Sequence, residues 1–157
     1  MGIDRAMEYL ERGISKLELG YCQEAIEYFD KAINIDPKDA AAYYNRGYAK
    51  DHLGDYKGEI ADYDKAVKLN PNYTEAYGMR GNAKVNLLDM KGAIKDYSKV
   101  IELNPNDAVG YQNRGNTKNA LGDYIGAIAD WEKAIELNPS FKDTLQPYIN
   151  RTRAKLN

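Results

Sequence analysis

The sequence is poor in the residues that carry out chemistry. Cys22 is its one cysteine and His52 its one histidine. A single cysteine excludes an internal disulfide and a cysteine-based zinc cluster. Cys22 as a nucleophile would need a base that the sequence does not place, so it reads as a packing residue at a helix start. His52 falls in the last turn of a helix, where the dipole mildly favours its cationic form. That position suits a surface or groove-lining role. There is no H-E-x-x-H, EF-hand loop, P-loop or G-x-G-x-x-G. The expectation is therefore no catalytic residue, no metal and no cofactor: a protein that is not an enzyme.

Long hydrophobic runs are also missing. Nothing approaches 18 consecutive apolar residues, which argues against membrane insertion. The opening Met1-Gly2-Ile3-Asp4 has no basic stretch followed by an apolar one, and Ala6 breaks the myristoylation pattern. A cytoplasmic location is the default expectation. Asn72-Tyr73-Thr74 and Asn150-Arg151-Thr152 match the glycosylation triplet, but without a secretory signal they read as chance. The net charge of -2 gives no general reason to expect a polyanionic partner. Apolar content of 43% with 29% charged residues fits a folded chain rather than a disordered one.

Phenylalanine and tryptophan are scarce, at 2 and 1, against 14 tyrosines. A fold that reuses one aromatic slot would give that bias, because tyrosine buries a ring while keeping a polar tip. The reuse is visible. Pro37, Pro71, Pro105 and Pro139 recur every 34 residues, a repeat-array period. Gly13, Gly47, Gly81 and Gly115 keep the same step. So do Tyr9, Tyr43, Tyr77 and Tyr111, and the aromatic column Phe29, Tyr63, Tyr97 and Trp131.

Within each unit the apolar spacing is helical. Tyr56, Ile60, Tyr63 and Val67 fall on one helix face. Leu53-Gly54-Asp55-Tyr56 reads as helix end, left-handed glycine, N-cap and new helix, and Leu121-Gly122-Asp123-Tyr124 repeats it. Asn before Pro71, Pro105 and Pro139 ends each second helix, since proline pushes its predecessor out of the helical region. Asp39 and Asp107 can cap the helices that follow. The spacing predicts helices over 5–19, 22–34, 40–53, 56–68, 74–87, 90–102, 108–121 and 124–136. A closing helix over 141–155 presents Leu145, Tyr148, Ile149, Thr152 and Leu156 on one face, with a kink expected at Pro147. Ile149 fills the glycine column there, which suits a cap over exposed core. We expect an all-α chain of one domain over 1–157, with repeats at 6–39, 40–73, 74–107 and 108–141.

These columns, in register four times between residues 6 and 139, resemble the tetratricopeptide repeat family. The resemblance implies a right-handed superhelical solenoid of antiparallel helix pairs, whose first helices line a concave groove. It also implies a protein-protein interaction module or scaffold. The partner is then a protein or peptide whose identity the sequence does not name.

Some positions depart from the pattern. Glu59 stands where other repeats have Ala25, Ala93 and Ala127; a buried unpaired carboxylate is costly, so Glu59 is expected to bend to solvent or pair locally. Leu88 replaces the turn glycine, and a left-handed leucine would cost roughly 1–2 kcal/mol. The third turn is therefore expected to take another geometry. Tyr21 replaces a capping Asp, which should weaken the start of its helix. Arg12, Arg46, Arg80 and Arg114 recur, followed by Lys16, Lys50, Lys84 and Lys118. Such a ladder invites a polyanion reading. Matching Asp62, Asp96 and Asp130 favour internal pairing of Arg46, Arg80 and Arg114, worth roughly 0.2–1 kcal/mol each where exposed. Tyr28 leaves Arg12 as the member without its Asp. No nucleic acid is therefore expected as a partner.

The family geometry also implies which residues face the groove. They include Leu10 and Ile14, then Tyr44, Tyr48, Asp51 and His52, then Asn82 and Asn86, then Gln112, Asn116 and Asn119. The face runs from apolar through tyrosine-rich to amide-rich. A bound segment is expected to lay apolar side chains on Leu10, Tyr44 and Tyr48, with its main chain along Asn82, Asn116 and Asn119. In the subclass that grips acidic C-terminal tails, five clamp positions carry lysines, asparagines and an arginine. Here they hold Leu10, Ile14, Asn45, Glu75 and Met79, of which only Asn45 fits. Self-assembly into a homo-oligomer is the alternative, through Met7, Leu10, Ile14 and Leu17 on the first helix.

Overall fold

The computed structural model describes residues 2–156 of the chain. Among them the regular elements are helices: α1 (Gly2–Glu18), α2 (Cys22–Ile35), α3 (Ala40–His52), α4 (Tyr56–Leu69), α5 (Thr74–Asn86), α6 (Met90–Leu103), α7 (Ala108–Ala120), α8 (Tyr124–Leu137) and α9 (Lys142–Arg153), with one 3-10 turn at Pro139–Phe141. The chain divides into two compact units, Met1–Ala83 and Lys84–Asn157.

The chemistry of the helix ends is repetitive. Asp55, Asp89 and Asp123 each accept the N–H of the glycine three residues on, Gly58, Gly92 and Gly126. A Cβ at any of those glycines would stand only 2.0 to 2.3 Å from the capping carboxylate. Tyr21 offers α2 no side-chain cap, as its substitution predicts. Asp39 caps Ala41 and Asp107 caps Gly110. At the other end, Asp36, Asn70, Asn104 and Asn138 are out of the helical region before their prolines, with φ between -138° and -123°. Each side chain then accepts an N–H two residues on, bridging the proline.

Leu88 does not behave as its side chain predicts. It adopts φ 62°, close to Gly54 at 73° and Gly122 at 83°. The turn holds it there. Asp89 N–H reaches Lys84 O at 2.8 Å, as Asp55 reaches Lys50 and Asp123 reaches Lys118 at 3.0 Å. Helix-end bonds and the Asp89 cap together outweigh the strain, and the side chain is left 79% exposed.

In the first unit, Ala32, Ile33, Ala42, Tyr43, Tyr63, Ala66, Val67 and Ala76 form one core cluster, and Ala25, Phe29 and Ala49 another. In the second, Ala127, Ile128, Trp131 and Ala134 pack with Leu145 and Ile149 of α9. Ile149 does cover core, but Tyr148 and Leu156 are exposed rather than on the buried face. Helix α9 continues through Pro147.

Phe29, Tyr63 and Trp131 each cross a first helix at a glycine. A Cβ on Gly13 would lie 2.5 Å from Phe29, on Gly47 3.0 Å from Tyr63 and on Gly115 2.8 Å from Trp131. Gly81 is buried at the matching place in α5.

Candidate protein-interaction site

The charge ladder is paired, and more deeply than its sequence suggests. Arg46 donates from Nε and Nη2 to the two oxygens of Asp62 at 3.0 and 2.6 Å, and from Nη1 to Asp30 at 2.6 Å. Arg114 grips Asp130 in the same two-pronged way at 2.9 and 2.7 Å. Lys50 joins Asp62, Lys84 joins Asp96 and Lys118 joins Asp130. Arg80 meets Asp64 at 2.7 Å. Asp62, Asp96 and Asp130 are buried. Burial pulls the Arg46 guanidinium down, but its hydrogen bonds to Asp62 and Asp30 more than offset this and hold it raised. Arg12, without an Asp across from it, pairs with Glu8 one turn back.

Sequence reasoning placed Leu10 and Ile14 facing the groove. Both are half-buried, and with Leu17 they pack on Phe29, Ala25 and Ala49. Met7 alone of that stripe is exposed. The apolar terminal stripe is thus largely used inside the first unit, because the aromatic of α2 reaches it across Gly13.

The structure gathers Tyr44, Tyr48 and Asp51 on one face of α3. Tyr44 stacks at a tilt on Tyr63, centroids 5.8 Å apart, and on Tyr73 at 4.9 Å. Tyr48 meets His52 edge-on at 4.8 Å. His52 itself is exposed and lines a depression of about 390 Å³ with Tyr21, Cys22 and Leu53. Beside Asp51 lies Glu59, for which the sequence left two outcomes open, bending to solvent or pairing locally. Glu59 is 1% exposed, so it does not bend to solvent; it pairs locally, with Asp51. Burial first, then Asp51 and Asp55, push its carboxyl up to about 8, and it shares a hydrogen bond with Asp51. It is protonated at neutral pH, which removes the main cost of burying it.

In the second unit Gln112, Asn116 and Asn119 line one depression of about 320 Å³ together with Trp131, Thr144, Leu145 and Tyr148. Trp131 donates its indole N–H to Asn116 Oδ1 at 2.8 Å, and Thr152 donates to Asn119 Oδ1 at 3.4 Å. Those amides keep N–H donors for a ligand while their oxygens are engaged internally. Sequence reasoning missed Trp131, Thr144 and Tyr148. The signal available was the aromatic column itself, since an indole crossing Gly115 needs an acceptor on the far side. Asn82 and Asn86 are exposed on α5.

No described helix is long and apolar enough to cross a membrane. Among the described residues there is no cluster of metal-ligating side chains.

No curated protein matches the chain in sequence. Tetratricopeptide repeat models match residues 10–74, 74–107 and 108–141. Among solved structures, the first TPR of Spaghetti (RPAP3) bound to HSP90 peptide SRMEEVD is 32% identical. The match covers 76% of this chain and 94% of that one, with a TM-score of 0.74. A crystal structure of MamA is 26% identical over 88% of this chain and 81% of that one, with a TM-score of 0.84. MamA 41-end from Desulfovibrio magneticus RS-1 is 25% identical over 97% and 85%, with a TM-score of 0.88. The chain belongs to the tetratricopeptide repeat family and has its all-α solenoid fold.

Proposed function

We propose that this chain is a non-catalytic interaction module that takes an extended polypeptide segment against its first helices. The observation that carries the reading is the 32% identity to a repeat domain solved with a peptide bound. Two surfaces suit the role. Tyr44 and Tyr48 offer rigid contact area with hydrogen-bonding tips. Gln112, Asn116 and Asn119 offer amides above a depression, and a peptide main chain presents acceptors to their N–H groups. Asn82 and Asn86 are exposed amides on α5, while Leu10 and Ile14 serve more as support than as contact.

The ligand chemistry differs from that of the RPAP3 relative. SRMEEVD ends in acidic residues and a carboxylate. Leu10, Ile14, Glu75 and Met79 supply no cation at the clamp positions, and Glu75 is exposed. The test is calorimetric titration of the full chain with SRMEEVD, and with a segment recovered by affinity capture. We expect no heat from SRMEEVD. The captured segment should bind wild type and lose affinity in Tyr48→Ala and in Gln112→Ala. Unchanged affinity in both, with the helical spectrum intact, places binding on another face.

Self-assembly remains the second reading, now resting on exposed Ile3 and Met7 one turn apart on α1. Light scattering that reports a monomer at high concentration, unaltered by Met7→Asp, counts against it.

A further inference from the structure

Comparison of the aromatic column shows one repeat with an unmet need. In the first repeat Phe29 crosses at Gly13 and has no polar tip. In the fourth, Trp131 crosses at Gly115 and its N–H is taken by Asn116. In the second, Tyr63 crosses at Gly47, and its hydroxyl is buried with no partner. One turn back on α4, Glu59 Oε2 is also buried without a partner. Glu59 sits where the other repeats have Ala25, Ala93 and Ala127. Tyr63 interacts with Glu59, Tyr44, Asp51 and Tyr48, and its ring packs at 5.8 Å on Tyr44, so its buried tip lies beneath the residues of the α3 face.

The surroundings select a charge. Asp51 lies half-buried above Glu59, and the charged groups acting on Glu59 are Asp51 and Asp55. His52 is turned to Tyr48 and to the depression beside Cys22. Lys50, next in chain to Asp51, is turned away to Asp62 at 2.7 Å. Glu75 adds a further acid near Tyr44 and Tyr73.

We propose that Asp51, Glu59 and Tyr63 receive the ammonium of a lysine side chain carried by the bound polypeptide, with the ring of Tyr48 flanking its stem. An ammonium has three donors and no acceptor, and these residues offer three oxygen acceptors. Aromatic faces attract cations as well. A rotamer change of Asp51 opens the way, a common event at interfaces. This inference rests on the reading of the α3 face as a peptide site and specifies what that face recognises. Binding has a chemical consequence. Glu59 holds a proton at neutral pH in the free protein; an arriving ammonium favours its carboxylate, and the proton passes to the buffer.

The experiment uses a displayed library of randomised short peptides, panned on the full chain and on its Asp51→Asn and Glu59→Gln variants. Circular dichroism first checks that both variants keep their helices. Peptides recovered on wild type are expected to carry lysine at one fixed position above its library frequency, and both variants should lose that preference. Acetylating that lysine in a recovered peptide should weaken binding roughly tenfold or more. Titration at neutral pH in phosphate and in Tris should show release approaching one proton for wild type and none for Glu59→Gln. Peptides recovered without lysine, or with a lysine indifferent to both variants, overturn this inference and leave the interaction reading standing. Recovery of no peptide at all overturns both.

Discussion

Arg46 and Asp62 form a two-pronged ion pair, with Nε to Oδ2 at 3.0 Å and Nη2 to Oδ1 at 2.6 Å, and the aspartate is buried. The guanidinium fork matches the carboxylate in plane, and Lys50 completes the set from one turn on. Such pairs tie a first helix to the second helix of its own repeat.

Asp62→Ala should therefore be far more damaging than a surface substitution. It leaves Lys50 without its carboxylate and Arg46 with only the more exposed Asp30, at a cost of up to about 3 kcal/mol. Asp30→Ala removes an exposed partner of the same arginine and should cost less than about 1 kcal/mol. Urea midpoints for the two variants decide the point; equal shifts would contradict the burial argument.

Leu88→Gly should stabilise the protein by up to about 1 kcal/mol. The positive φ of Leu88 strains a side chain that buries little, while glycine adopts it freely. Thermal melting is the measurement, and a lower midpoint would show that Leu88 makes contacts the turn depends on.

Gly115→Ala should lower stability by about 1–3 kcal/mol. Its Cβ would meet Trp131 at 2.8 Å and the Ala127 carbonyl at 3.2 Å, and backbone cannot yield. Since Trp131 is the single tryptophan, its fluorescence reports the shift directly. Loss of its bond to Asn116 should accompany it.

The pH dependence of Glu59 has a definite sign. Its carboxyl is pushed up to about 8 in the folded chain from 4.5. Protonated Glu59 thus contributes stability in full below about pH 4.5. That contribution falls as pH rises and is gone above about pH 8. Glu59→Gln keeps the neutral shape at every pH. Between about pH 5 and pH 9 the melting temperature of wild type should fall relative to that of Glu59→Gln. Parallel curves would mean that Glu59 is ionised throughout.

Much of this molecule is determined by its sequence alone. The 34-residue period, the helix ends within a residue or two over most of the chain, and the Asp caps follow from local rules that act within one or two turns. The pairing of Arg46 with Asp62 and of Arg114 with Asp130 was legible as well, because equal column spacing in antiparallel helices brings them level. Only the tertiary structure decided the rest. Glu59 carries a carboxylate in sequence and a protonated carboxyl in the fold, because helix packing removes its water and Asp51 shares its hydrogen bond. Leu10 and Ile14 read as groove residues in the sequence, and only the fold shows that they also pack around the ring of Phe29 at Gly13. Leu88 takes a glycine conformation because the bonds flanking the turn outweigh its own preference. In each case the outcome rests on a sum over neighbours that no single position encodes.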